Sequence, residues 1–109
     1  MTLYPTKPLM LVGTTQRITD VSQGRTSNES INSQGLKLPA YVDAVKKVAE
    51  FYSLPFLDLY HFSNINKYSM PTYMFEQTSS GVSYYLHFSG DGQKLIAKKF
   101  IEFIKRYFL

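Results

Sequence analysis

Three segments, taken in chain order, constrain the fold of this chain more than anything else in it: a short apolar run, an amphipathic helical pattern, and a second apolar run. Pro8-Leu9-Met10-Leu11-Val12-Gly13 is continuous apolar sequence with turn chemistry at both ends. That is the pattern of a strand buried on both faces of a parallel sheet. Pro39 suits a first helical turn, and Tyr41, Val45, Val48, Ala49 and Tyr52 follow at i, i+4, i+7, i+8 and i+11. They form one apolar stripe, with Asp43, Lys46, Lys47 and Glu50 off it. Leu54-Pro55-Phe56-Leu57-Asp58-Leu59-Tyr60 reads as a second buried strand. Strand, helix and strand make a βαβ unit, whose natural geometry is a right-handed crossover joining parallel strands.

The remaining segments attach to that unit. Thr14 to Gly35 is rich in Ser, Thr, Asn, Gln and Gly and reads as a long polar loop, of the kind that is functional or mobile inside a compact domain. His61 to Pro71 is polar and turn-rich. Tyr73-Met74-Phe75 and Val82-Ser83-Tyr84-Tyr85-Leu86 are β-prone and flank Thr78-Ser79-Ser80-Gly81, which can close a hairpin. The same runs can equally be loop segments packing aromatic rings over a site. A last helix opens at Gly92, with Ile96, Phe100, Phe103, Ile104 and Tyr107 on one face and Lys94, Lys98, Lys99, Glu102, Lys105 and Arg106 on the other. Its apolar face needs a sheet to lie on. Two strands are a small platform for two helices, so a homo-oligomer or a complementing protein chain is the expected partner.

Composition narrows the function classes. At 109 residues the chain is a single domain, 1–109, and its 44% hydrophobic and 16% aromatic content argues against disorder. There is no Cys, which excludes disulfides, zinc ribbons and thiol catalysis. Two His and scattered carboxylates show no metal-ligand spacing, so no metal and no cofactor are expected. Net charge is +4, and five of the twelve Lys/Arg fall between Lys94 and Arg106. Such a stripe is first the wet face of an amphipathic helix. No stacking motif alternates with it, so nucleic acid is not an expected ligand. Leu9 to Gly13 is far too short for a membrane span or an export signal, and synthesis in the cytoplasm is the expectation.

The segment that looks most like chemistry is Tyr85-Leu86-His87-Phe88-Ser89-Gly90-Asp91-Gly92. It places a histidine at the end of an apolar run, on a loop held between rigid elements, five residues ahead of a glycine. Leu86-His87 followed by Gly92-Gln93-Lys94-Leu95-Ile96-Ala97 resembles the closing block of the SGNH/GDSL hydrolase family. Tyr41 to Tyr60 is similar to that family's last crossover helix and final strand, and Leu9 to Arg17 to the strand preceding its long loop. The resemblance implies a three-layer α/β/α sandwich with a flavodoxin-like parallel sheet, of which this chain would be the C-terminal portion. It also implies a serine hydrolase acting on acyl esters, often acetyl groups on carbohydrates or lipids. On that carry-over His87 matches the catalytic histidine, taking a serine proton and passing it to the leaving alcohol.

The departures from the family pattern are specific. The family aspartate three residues before the histidine falls on Tyr84, which cannot supply the anion that orients the imidazole. The Gly-Asp-Ser nucleophile block has no counterpart, and Gly13-Thr14-Thr15-Gln16 lacks the Asn and Asp of the family's oxyanion block. The sequence therefore reads as an SGNH/GDSL-like acyl-ester hydrolase portion, inactive as an isolated chain. The alternative is a non-catalytic binding or regulatory protein acting through an exposed sheet edge or oligomer interface.

Other polar residues have plainer readings. His61 follows a strand end, where α/β proteins place sites, but reads as a solitary exposed histidine. Asp58 caps the following turn or serves a site, and Asp91 caps the amides of the last helix. Tyr68, Tyr73, Tyr84 and Tyr85 pack in the core or stack on a sugar or protein partner.

Overall fold

The three leading segments fold as a mixed α/β unit. In a computed structural model, which describes residues 9–109, β1 (Leu11–Gly13) and β2 (Phe56–Asp58) pair in parallel. The helix α1 (Leu38–Phe51) connects them, with Pro39 in its first turn. Pro8, the expected start of the first strand, lies outside the described residues. Gly13 admits the close packing of α1 on this pair. A Cβ there would sit 2.9 Å from the Phe56 ring and 3.1 Å from Val42. Only Val42 and Ala49 of α1 are buried.

The second strand is shorter than its apolar run suggests. Leu59 and Tyr60, expected to extend it, open a one-turn helix, α2 (Leu59–Phe62). The cause is Asp58, whose carboxylate caps that turn by accepting from the His61 amide at 3.0 Å. A second short helix, α3 (Met70–Tyr73), occupies the end of the segment read as turn-rich and takes Tyr73 out of the following strand.

The hairpin alternative is the one that forms. β3 (Met74–Ser79) and β4 (Val82–Phe88) pair antiparallel through Ser80 and Gly81. Both turn residues have positive φ, 52° and 81°, as a two-residue type I′ turn requires. The last helix, α4 (Gly90–Phe108), opens two residues earlier than expected, because Ser89 supplies the cap: its hydroxyl accepts from the Gly92 amide at 3.2 Å. Asp91 lies in the first turn, where a carboxylate complements the positive end of the helix.

The main core lies on the hairpin side. Ile18, Ile65, Met70, Met74 and Tyr85 are buried together, and two backbone hydrogen bonds join Ile18 of the polar loop to Tyr85 of β4. Of the two long helices, α4 packs half-buried Leu95 and Ile96 against it. Within α4 only Gly92 is buried, while Ile101, Ile104 and Tyr107 are exposed. The radius of gyration, 16.3 Å, exceeds the roughly 13 Å of a close-packed chain of this size. No helix among the described residues is long and apolar enough to cross a membrane.

Candidate functional site

The parallel register pairs Gly13 with Asp58, so the carboxyl ends of β1 and β2 lie side by side. In open α/β sheets this is the end where ligands bind. Asp58 is its charged group. One carboxylate oxygen accepts the His61 amide, and the other lies 2.8 Å from His61 Nδ1. A carboxylate only accepts, so the neutral ring carries its proton on Nδ1 and keeps the lone pair on Nε2. The Asp58 side chain is 16% exposed and that of His61 51%, so the pair has one sheltered and one open member.

His61 is therefore not solitary. The sequence signal for the pairing was Asp-x-x-His directly after a strand, a spacing that lets the aspartate cap a turn and reach the ring at once. Tyr60, between them in sequence, is buried. Its hydroxyl donates to the Asn28 side chain and lies 3.5 Å from Ser27 Oγ, tying the polar loop to α2. Burial holds the Tyr60 phenol above its ordinary pKa.

His87 stands elsewhere, and not on a loop. It is the next-to-last residue of β4, within the antiparallel hairpin. Met74 pairs with Phe88 and Glu76 with Tyr85, so Phe75 faces two residues, Leu86 and His87. That two-against-one count is a β-bulge, a local distortion that re-aims side chains at the end of a ladder. Both bulge residues are exposed. Among the described residues His87 makes no ion pair, and no aspartate joins it. Ser89, two residues on, is committed to structure: its hydroxyl donates to the Thr72 carbonyl at 2.8 Å and caps α4.

The four tyrosines divide. Tyr85 is buried in the core, with its phenol pKa raised by burial and by the Glu76 carboxylate. Tyr73 and Tyr84 are half-buried, and Tyr68 is open to solvent.

A cleft of about 520 Å3 opens beside Asp58, between β2 and α2 on one side and the last turns of α4 on the other. Phe56, Phe62 and Phe103 give it apolar walls, and its α4 side carries both signs of charge, with Lys99 and Arg106 flanking Glu102. Among the described residues no three His, Cys, Asp or Glu side chains converge as a metal site would require.

No family model matches the chain, and no curated protein matches it. Its fold is similar to the crystal structure of a protein from Lactobacillus plantarum, a Northeast Structural Genomics consortium target. The two superimpose with a TM-score of 0.72 at 23% identity, over 99% of this chain and 49% of that one. This chain thus spans about half the length of that protein. At such identity the likeness concerns the fold alone.

Proposed function

We propose that this chain is the C-terminal portion of an SGNH/GDSL-like acyl-ester hydrolase domain and cleaves no ester by itself. On this reading the parallel pair, α1 and α4 belong to a flavodoxin-like, three-layer α/β/α arrangement whose remaining strands come from a longer native product or from another chain. The observation that carries the reading is the coverage: nearly all of this chain matches about half of a longer protein chain. The partly open apolar face of α4, with Ile104 and Tyr107 exposed beyond half-buried Ile96, Phe100 and Phe103, agrees with it, since an amphipathic helix buries its apolar stripe against a partner surface.

In the completed domain His87 takes the proton from a serine supplied by the other portion and returns it to the leaving alcohol. The substrate class is an acyl ester, with acetylated carbohydrate as the first candidate. A second assignment gives the same role to His61. It is favoured by the 2.8 Å contact with Asp58, the oriented carboxylate–imidazole pair that His87 lacks.

Co-expression with an N-terminal half-domain carrying a Gly-Asp-Ser block tests the reading, with p-nitrophenyl acetate as substrate. Cleavage by the assembly, absent from either part, is the expected result. Loss on His87→Ala but not His61→Ala selects the first assignment, and the reverse selects the second. Assembly without cleavage favours a non-catalytic binding protein. The exposed Ile101, Ile104 and Tyr107 then serve a homo-oligomer or partner interface.

A further inference from the structure

Arg17 and the loop around it form a second cavity, of about 270 Å3, apart from both histidines. The loop is well tied there. The Arg17 amide donates to Ser27 Oγ at 3.1 Å, and the Ser27 amide returns a bond to the Arg17 carbonyl at 2.8 Å. Asn32 closes the adjoining turn, its side-chain oxygen accepting from the Gln34 and Leu36 amides while its side-chain nitrogen donates to Tyr41 of α1. These bonds fix the backbone around the cavity.

The charge in this cavity is one-sided. Arg17 is half-buried, and its guanidinium makes a 3.2 Å bond to Thr14 Oγ1. Among the described residues no acidic side chain lines the cavity, and Arg17 enters no ion pair. The loop's own carboxylates are engaged elsewhere: Asp20 accepts from Ser22, and Glu29 from Thr26. A sheltered guanidinium presents a forked set of donors that matches a carboxylate. Beside it the wall turns aliphatic, with Leu38 half-buried and Ile31 and Leu36 65% and 44% exposed.

We infer that this cavity binds a short aliphatic carboxylate, head on Arg17 and tail along Ile31, Leu36 and Leu38. Its volume lies just under the roughly 300 Å3 at which pockets for drug-sized ligands begin, which suits a chain of a few carbons. The inference stands apart from the proposed ester chemistry, because binding is read here without any bond being cleaved.

Calorimetric titration of the purified chain with sodium hexanoate tests it, with sodium acetate and 1-hexanol as controls. Saturable hexanoate binding is expected, with acetate and hexanol each weaker by about tenfold or more, since each lacks one half of the match. Arg17→Ala should weaken hexanoate binding by at least about tenfold. Leu36→Asp, at an exposed position that leaves the Arg17 bonds in place, should weaken it likewise and guards against misfolding of the first variant. Absence of hexanoate binding overturns the proposal. So does hexanol or acetate binding as well as hexanoate, or binding unchanged by both substitutions.

Discussion

His61 Nδ1 lies 2.8 Å from Asp58 Oδ2 while the His61 amide donates to Asp58 Oδ1, so one carboxylate holds both the backbone and the ring of the same residue. The two bonds can be separated by substitution. Asp58→Asn keeps a capping oxygen but no charge, whereas Asp58→Ala keeps neither. Asp58→Ala is expected to destabilise the fold by about 1–2 kcal/mol through the lost cap. Asp58→Asn should cost less than about 1 kcal/mol, because the ring is half open to water and such pairs are screened. Urea unfolding of the two variants measures both, and equal losses would show that the cap contributes nothing separate. Nitrogen NMR of the ring supplies the functional readout: the Nδ1–H tautomer should dominate in the parent and lose that dominance in Asp58→Asn.

Gly92 and Tyr73 define how α4 leaves the hairpin. A Cβ at Gly92 would sit 1.9 Å from the Tyr73 carbonyl oxygen, and that carbonyl cannot retreat because it accepts the Ser89 amide at 3.0 Å. Alanine normally favours a helix by about 1 kcal/mol over glycine. Here the sign reverses. Gly92→Ala should destabilise by about 1–3 kcal/mol, the usual cost of forcing atoms into a packed contact. A lowered midpoint in thermal unfolding checks it, and an unchanged or raised midpoint would contradict the close approach.

The parts of this fold legible in the sequence were those set by local periodicity. The stripe from Tyr41 to Tyr52 and the one from Ile96 to Tyr107 both emerge as helices because 3.6-residue spacing needs no knowledge of the partner. The parallel pairing followed from strand, helix, strand order. What the sequence obscured was decided by single polar side chains. Asp58 ended β2 by capping a turn, and Ser89 rather than Asp91 began α4. The bulge at Leu86 and His87 depends on register against β3, which alternation alone does not specify. The Asp58–His61 contact was hidden because each residue, taken singly, had an ordinary reading.

Two buried phenols make a prediction about alkaline pH. Burial raises the pKa of Tyr60 above its ordinary value of 10.0, and burial together with the Glu76 carboxylate does the same for Tyr85. The unfolded chain therefore releases these protons before the folded one does. Their contribution is complete below pH 10 and is lost as pH rises from there through the folded values. Unfolding free energy should accordingly fall above pH 10. In Tyr60→Phe/Tyr85→Phe the absolute stability drops with the lost Asn28 and Glu76 bonds, but the alkaline slope should flatten. A slope identical to the parent's would show that other groups govern alkaline unfolding.

The exposed face of α4 separates folding from assembly. Ile101 and Ile104 are 54% and 39% exposed, yet they lie on a helix that buries only a glycine of its own. Side chains open to water contribute little to stability, so Ile101→Ser/Ile104→Ser should shift unfolding of the isolated chain by no more than about 1 kcal/mol. If the face meets a sheet from other polypeptide, the same change removes apolar area that only assembly would bury, at roughly 25 cal/mol per Å2. Association with a second copy or a complementing half-domain should then weaken strongly while the monomer fold persists. Sedimentation velocity alongside circular dichroism distinguishes the two effects. A variant that assembles as well as the parent would place the partner on another surface, and one that unfolds would place these isoleucines in the chain's own core.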